Sequence, residues 1–239
     1  MDSELQATVQ AMVQAGKGIL AADESAPTIA KRFLGIGLES TEENRRIYRS
    51  LILTAPGLGE FVSGVILFEE TLHQRDDQGM SLPQRAAQQG IVAGIKVDAG
   101  KIALALAPGD EITQGLDDLA QRLQTYRKQG ARFAKWRAVY NLNATLPGRA
   151  AIEANAHALA RYAAICQAQG VVPIVEPEVL IDGDHTLERC AQVSEAVLHE
   201  VLRRCVPAAV AGINFLSGGQ TPQQASVHLD AMNRVGPQP

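Results

Sequence analysis

The strongest constraint on the fold is a repeated alternation of helix-like stretches with short apolar runs rich in strand-forming residues. Such alternation predicts strands joined by crossover helices, and therefore a parallel sheet in an α/β fold. Spacings of roughly thirty to forty-five residues suit one strand and one helix per repeat. This pattern alone leaves a closed barrel and an open sheet as alternatives. The predicted strands are Gly18–Ala22, Val62–Phe68, Ile91–Val97, Ala131–Trp136, Val171–Val175 and Ala209–Phe215.

The stretches between these runs carry helix start and stop signals. Glu42 and Glu43 place acidic side chains in a first turn, and Gly130 and Gly170 lie where glycines commonly end helices. The predicted helices are Asp2–Ala15, Ser40–Leu53, Gly115–Gln129, Ala150–Gln169, Thr186–Arg204 and a last one from Thr221 through Met232. No linker or repeat is visible, so we expect residues 1–239 to form a single domain.

Composition excludes several classes of function. The formal net charge is -4 and Lys and Arg are dispersed, which argues against a nucleic-acid partner. The three cysteines lack C-x-x-C spacing, so neither a disulfide framework nor a zinc site is expected. The chain has no signal-peptide pattern and no run of 18 apolar residues, so we expect no membrane association and a cytoplasmic location.

Charged residues follow the predicted strands at the end where parallel α/β folds place their active sites. Lys135 and Arg137 are two positions apart on one strand, so both cations point to the same face and suit a phosphate or carboxylate. The alternative is that Lys135 extends from a strand edge to water. Lys96 and Asp98 repeat this spacing on the preceding strand, and a simple salt bridge between them is an equal alternative.

Glu176 and Glu178 place two carboxylates on one face of the fifth predicted strand. Neighbouring like charges raise the pKa of one carboxyl, as a general acid or base requires. The alternative is that both carboxylates form structural ion pairs with Lys135 and Arg137.

Two loops complete the predicted cleft. Asp23, Glu24 and Ser25 follow the first strand and precede Lys31 and Arg32, although Ser25 would equally serve as a helix N-cap. Ser217-Gly218-Gly219 after the last predicted strand would expose backbone N–H groups to a phosphate, or would simply form a tight turn. Together these residues predict a cleft for a small phosphorylated substrate that undergoes proton transfer, with no metal or nucleotide site.

Several long segments, in collinear order, resemble class I fructose-bisphosphate aldolases. They include GKGILAADES at Gly16–Ser25, GIKVDAG at Gly94–Gly100, GARFAKWR ending at Arg137, and INFLSGGQ ending at Gln220. TEENRRIYRSLILTAPGLGEFVSGVILFEETL, TQGLDDLAQR and IVEPEVLIDGDHTLERC belong to the same resemblance. It implies an eight-stranded (β/α) barrel that cleaves fructose 1,6-bisphosphate to dihydroxyacetone phosphate and glyceraldehyde 3-phosphate through a lysine Schiff base, without a metal or other cofactor.

The resemblance also implies roles for individual residues. Asp23 matches the acid that handles the C4 hydroxyl, Lys135 the lysine beside the reacting carbons, Glu176 the general acid/base, and Glu178 its neighbouring carboxylate. Residues matching the phosphate and sugar subsites are Ser25, Arg32, Lys96, Arg137, Ser217, Gly218 and Gly219. Family members commonly form tetramers, so a homo-oligomer is expected.

The chain departs from the family at one internal position and at its C-terminus. From this resemblance we expect the block that carries strand six and an L-L-K-P-type motif with the imine lysine to be missing between Val201 and Leu202, and the strand-eight segment to be missing as well. We therefore expect an incomplete TIM barrel without strands six and eight. Three hypotheses follow: an aldolase by descent, a non-catalytic relative that binds sugar phosphates or partner proteins, and an enzyme in which Lys135 or Lys96 forms the imine.

Overall fold

The computed structural model describes residues 3–205, 211–216 and 218–234. Its strands are β1 (Gly18–Ala22), β2 (Val62–Leu67), β3 (Val92–Lys96), β4 (Lys101–Ala103), β5 (Glu111–Thr113), β6 (Phe133–Tyr140) and β7 (Val172–Val179). Its helices are α1 (Ser3–Met12), α2 (Ala26–Leu34), α3 (Glu42–Leu53), α4 (Leu58–Phe61), α5 (Glu69–His73), α6 (Leu82–Gln88), α7 (Leu119–Lys128), α8 (Arg149–Ala168), α9 (Leu187–Cys205) and α10 (Pro222–Arg234).

The main sheet contains five parallel strands in the order β1-β2-β3-β6-β7. The first five predicted strands are therefore confirmed, and β6 and β7 continue beyond their predicted ends to Tyr140 and Val179. The sixth prediction, Ala209–Phe215, is wrong for its described part: residues 211–216 are irregular and exposed, while 209 and 210 lie outside the described residues. A strand is stable only where a neighbour satisfies its backbone groups, and residues 211–216 belong to neither sheet.

Helices α7 and α8 are each connected to the following strand by the same type of junction. At the end of α7, Gly130 has φ +105° and the Ala131 N–H donates to the Tyr126 carbonyl at 3.0 Å. At the end of α8, Gly170 has φ +69° and the Val171 N–H donates to the Cys166 carbonyl at 2.9 Å. This bonding is typical of helices closed by a left-handed glycine, so both predicted helix ends are confirmed.

The two faces of the main sheet have different surroundings. On the outer face, Trp136 is fully buried and its ring lies 5.4 Å, centroid to centroid, from that of Tyr162 on α8. On the inner face, Phe133 packs with Ile66 and with Met12 of α1. The Ser63 hydroxyl also donates to the Met12 carbonyl at 2.6 Å. Apolar packing with α1 therefore occupies one part of the inner face, and the charged residues lie nearer the carboxyl ends of the strands.

A short antiparallel hairpin, β4–β5, was not predicted. It follows β3, and its bonds include a Gln114 N–H donated to the Gly100 carbonyl at 2.9 Å. Because residues 114 and 115 belong to this region, α7 begins at Leu119 rather than at Gly115. Buried Asn155 of α8 fixes the hairpin by accepting from the Thr113 N–H at 3.2 Å and donating to the Glu111 carbonyl at 2.9 Å.

Helix α9 runs without interruption across Val201 and Leu202, as predicted. Val193, Val197 and Val201 are buried along one side, whereas Leu198 and Leu202 are each 49% exposed. The spacing of the three valines is that of an amphipathic helix. None of the described helices is both long enough and apolar enough to span a bilayer.

Candidate functional site

The candidate site lies on the inner face of the main sheet, towards the carboxyl ends of its strands. Its central cation is Lys135 of β6, whose Nζ lies 2.7 Å from Asp23 Oδ2 and 3.3 Å from Glu176 Oε2. The side chains of Lys135, Asp23 and Glu176 are 8%, 9% and 24% exposed. The lysine is therefore buried between two carboxylates, and the alternative in which it reaches water is wrong.

The contact between Asp23 and Lys135 shows that the sheet is strongly curled. Asp23 directly follows β1, and two strands separate β1 from β6. Strands are spaced by about 4.8 Å, so in a flat sheet these two would be about 14 Å apart. Side chains on the same face could not close that distance to 2.7 Å, whereas on the concave face of a curled sheet they converge. The curl brings the end of β1 together with the inner faces of β6 and β7 around one small volume.

Opposing influences set the protonation of this cluster. Burial lowers the pKa of Lys135, but the attraction of Asp23 and Glu176 outweighs it, so the pKa lies above its usual value. Burial raises the pKa of Glu176, the Lys135 charge lowers it, and the nearby Glu178 charge raises it again, with a net rise. The site therefore combines a firmly protonated ammonium with a carboxyl whose proton affinity is increased, which suits general acid/base chemistry.

Two further cations lie beside this cluster, each bound to its own carboxylate. Arg137 pairs through Nε with Glu178, and this bond is the main reason that the pKa of the guanidinium is raised. Lys96 Nζ lies 2.5 Å from Asp98 Oδ1. The ion pairs that the sequence left as an alternative role for Glu176 and Glu178 are thus present. They do not oppose a binding role, because the side chain of Arg137 remains 40% exposed.

The loop after β1 is fixed mainly through Glu24. Its carboxylate binds both Arg32 and Arg49, and Arg49 Nη2 also donates to the Glu24 carbonyl at 3.1 Å. Ser25 occupies the N-cap position of α2 but makes no side-chain capping bond, and its hydroxyl lies 3.0 Å from that of Thr28. Ser25 is therefore the N-cap residue of α2, as the alternative predicted, but its hydroxyl does not cap the helix. Arg32 remains 59% exposed.

The predicted phosphate loop is only partly described. Ser217 lies outside the described residues, whereas Gly218 and Gly219 form an exposed turn shortly before α10. Gly219 has φ +79°, a conformation that glycine adopts without strain. The turn alternative is therefore confirmed for these two residues, and their backbone remains accessible.

Two residues important to the site's geometry were missed or undervalued at the sequence level. Arg49, whose side chain is 3% exposed, was missed, although its charge within an otherwise amphipathic helix pattern was a usable signal. Asp98 was considered only together with Lys96, with a simple salt bridge as one alternative, but it also accepts from the Arg137 backbone N–H at 3.3 Å. Among the described residues, no cluster of His, Cys, Asp and Glu could hold a metal ion.

Comparison with known sequences gives one consistent family. The family model described as "Fructose-bisphosphate aldolase class-I" matches residues 4–203 and 199–239. A probable fructose-bisphosphate aldolase class 1 from Xanthomonas campestris is 47% identical over 276 positions, covering 98% of this chain and 83% of that protein. A fructose-bisphosphate aldolase from Drosophila melanogaster is 46% identical and covers 98% of this chain and 77% of that protein.

Solved structures agree with the sequence comparison. The chain superimposes with a TM-score of 0.93 and 44% identity on the fructose-bisphosphate aldolase of Plasmodium falciparum, which was crystallised with TRAP and a small-molecule inhibitor. The match covers 98% of this chain and 81% of the other. The curled five-stranded sheet therefore corresponds to part of an aldolase barrel.

Proposed function

Because the chain belongs to the class I fructose-bisphosphate aldolase family, a family of carbon–carbon lyases, we propose that its cleft binds fructose 1,6-bisphosphate and serves in its reversible cleavage. The products are dihydroxyacetone phosphate and glyceraldehyde 3-phosphate. The observation that carries this proposal is the buried cluster of Asp23, which follows β1, with Lys135 of β6 and Glu176 of β7. Such a cluster supplies the proton transfers that carbon–carbon cleavage requires.

Each member of the cluster has a distinct proposed role. Asp23 accepts the proton of the C4 hydroxyl as the C3–C4 bond breaks and the aldehyde product forms. The electron pair of that bond goes to C3, where the carbonyl-derived group at C2 stabilises it. Lys135 remains protonated and stabilises negative charge near the reacting carbons, since its pKa is raised. Glu176 exchanges protons with the C2 oxygen, which its raised pKa favours, and Glu178 holds Arg137 in place.

The remaining predicted residues are proposed to bind the two phosphates and the sugar. Lys96 and Arg137 flank Lys135 on the inner face, Ser25 ends the loop that follows β1, and Arg32 lies on α2 directly after that loop. Ser217, Gly218 and Gly219 would supply hydroxyl and backbone N–H donors to a phosphate. The exposure of Arg32 and Arg137 supports this assignment, because a binding cation needs free donors as well as a structural partner.

We further propose that an internal segment of the family, with its imine lysine, is absent between Val201 and Leu202. Two observations support this: the chain matches the family model in two pieces that overlap at residues 199–203, and the 276 aligned positions exceed the 239 residues of the chain by 37. The chain has six lysines, and Lys135 is the last of them. An imine would have to form on one of these six lysines, and the raised pKa of Lys135 makes it a poor nucleophile.

This absence favours a second candidate function, sugar-phosphate binding without efficient cleavage. Loss of one member of a catalytic triad lowers kcat by on the order of 10⁴- to 10⁶-fold in a well-studied protease. We expect the chain to bind fructose 1,6-bisphosphate and to cleave it far more slowly than the Xanthomonas campestris relative. Insertion of that relative's intervening segment between Val201 and Leu202 should raise the rate.

The test is borohydride reduction in the presence of dihydroxyacetone phosphate, followed by intact-mass measurement. The Xanthomonas campestris relative is the positive control, and calorimetric titration with fructose 1,6-bisphosphate is the binding measurement. Binding without an adduct would support the second candidate. An adduct that peptide mapping places on Lys96 or Lys135 would establish a substitute imine lysine. Absence of both binding and adduct in a folded sample would refute the proposed function.

The cellular setting and the assembly are inferred from a relative's location and from exposed apolar side chains. We propose a single cytoplasmic domain that forms a homo-oligomer. A cytosolic Arabidopsis thaliana aldolase, 46% identical to this chain, supports the location, and the free thiols of Cys166 and Cys190 agree with a reducing compartment. Exposed apolar side chains such as Leu34, 78% exposed, and Leu51, 68% exposed, support self-association. Light scattering coupled to gel filtration measures the assembly directly.

A further inference from the structure

The backbone hydrogen bonding between β3 and β6 ends at a side-chain acceptor. Lys96 pairs with Lys135, and the Val97 N–H still donates to the Lys135 carbonyl at 3.1 Å. If the ladder continued, the next N–H of β6, that of Arg137, would donate to the Val97 carbonyl. That carbonyl instead accepts from Arg122 Nη1 at 3.0 Å, and the Arg137 N–H donates to Asp98 Oδ2 at 3.3 Å. The Asp98 side chain thus takes the place of a backbone acceptor.

The same carboxylate binds two other groups. Asp98 Oδ1 accepts from Lys96 Nζ at 2.5 Å and from the Gly100 N–H at 3.2 Å. Lys96 Nζ also donates to the Asp98 carbonyl at 2.8 Å. The Asp98 side chain is only 4% exposed, so a single buried carboxylate joins the end of β3, the backbone of β6 and the loop that leads to β4.

This arrangement determines where the Lys96 ammonium points. Within the described ranges, both hydrogen bonds of Lys96 Nζ go to Asp98. Lys96 and Lys135 are register partners on one face of a parallel sheet, so the two cationic side chains start from neighbouring backbone positions. The Asp98 carboxylate pairs with Lys96, and its charge also acts on Lys135. Without it, the Lys96 side chain would turn towards water.

We propose that Asp98 is a positioning residue that holds the Lys96 ammonium and the β6 backbone at Arg137 in one fixed geometry, so that both cations face the same phosphate ester. The identity of that ester, one phosphate of fructose 1,6-bisphosphate, rests on the proposed function. The fixed geometry of Lys96 itself does not. The Lys96 side chain is 17% exposed, and the donor capacity left after its two bonds to Asp98 is available to a ligand.

The test uses Asp98→Asn, which keeps the shape but loses the charge and one acceptor atom. Calorimetric titration with fructose 1,6-bisphosphate should show affinity reduced by about 10- to 100-fold, as expected for lost bonds to charged groups. In spectra of protein labelled at lysine ¹³Cε, which contain only six lysine signals, the Lys96 signal should shift. The matched control is Asp110→Asn, another buried carboxylate, which accepts from the Gly148 N–H at 3.1 Å and should leave affinity within twofold.

The outcomes separate this inference from the proposed function. If the parent binds fructose 1,6-bisphosphate and Asp98→Asn binds it with the same affinity, the positioning role is overturned. If the parent does not bind fructose 1,6-bisphosphate, the proposed function fails, and an unmoved Lys96 signal would then overturn the inference by itself. Should Asp98→Asn unfold, Lys96→Met removes the positioned cation while leaving the ladder intact. It should reproduce the loss of affinity, and unchanged binding by this variant would refute the role.

Discussion

Replacing Lys135 with Met should destabilise the protein strongly and in a pH-dependent manner. Lys135 Nζ lies 2.7 Å from Asp23 and 3.3 Å from Glu176, and at most a quarter of any of these side chains is exposed. Removing one partner of a buried ion pair leaves an uncompensated charge and costs about 3–5 kcal/mol. For a chain of this size, that loss lowers the midpoint of thermal unfolding by about 6–20 °C.

The sign of the pH dependence follows from the remaining carboxylates. In the parent, Lys135 has a higher pKa in the folded than in the unfolded state, and the resulting stabilisation is fully present at any pH below the unfolded-state pKa. This contribution is therefore constant between pH 5 and pH 8. In Lys135→Met, burial and the Glu178 charge still raise the pKa of Glu176, while the opposing attraction of Lys135 is lost. A carboxyl whose pKa is higher in the folded than in the unfolded state destabilises the folded protein at high pH. This destabilisation disappears as the pH falls and the carboxyl becomes protonated. The stability difference between parent and variant should therefore shrink from pH 8 to pH 5.

Urea unfolding at pH 8, 6.5 and 5 measures this difference, with fluorescence from the single, fully buried Trp136 as the signal. The matched control is Lys101→Met, since Lys101 is 41% exposed and pairs with Glu111 on the hairpin. Exposed pairs contribute about 0–1 kcal/mol, so the control should be nearly neutral at every pH. A loss below about 1 kcal/mol for Lys135→Met at pH 8, or a loss that does not vary with pH, would refute this reasoning.

Gly94→Ala should cost about 1–3 kcal/mol in urea unfolding, because its Cβ would lie 2.3 Å from the Phe133 ring. Adding Phe133→Leu should recover part of that loss, and no recovery would contradict the steric explanation. Cys166 is fully buried and its pKa is raised to about 12, so peptide mapping after iodoacetamide treatment at pH 8 should find it unmodified in the native protein and modified in urea. Asn155→Ala should lower unfolding stability by about 2–4 kcal/mol, because it leaves the Thr113 N–H and the Glu111 carbonyl without their partner. An equal effect from Asn141→Ala, whose side chain is less buried, would show that this cost is not specific to Asn155.

The parallel strands could be predicted because their apolar runs and the glycines before them are local signals. The junctions at Gly130 and Gly170 could be predicted because each consists only of neighbouring residues: a helix, a glycine with positive φ and a buried apolar residue. The run at Ala209–Phe215 carries a similar apolar signal and still forms no strand in its described part. Strand formation there depends on neighbours elsewhere in the chain, which a local pattern does not contain.

The site residues could be chosen from their spacing, but their partners could not. The alternation of side chains along a strand predicts that Lys135 and Arg137 share one face. The pairing of Lys135 with Asp23, by contrast, depends on the curl of the whole sheet. The dual role of Asp98 depends on Arg122 occupying the Val97 carbonyl, and residues from three separate segments determine that outcome. Interactions that require several distant elements at once are the ones that sequence periodicity does not specify.

The contact between Asp23 and Lys135 also affects the order of events during synthesis. These residues are 112 positions apart, and closing a loop of that length costs about 4 kcal/mol in chain entropy. Glu176 follows Asp23 by 153 positions, so at typical translation rates roughly 8–30 s separate their appearance on the ribosome. A nascent chain thus carries Asp23 for many seconds before both partners exist. The acid/base cluster can assemble only after β7 has been made, so no shorter nascent chain holds the complete cluster.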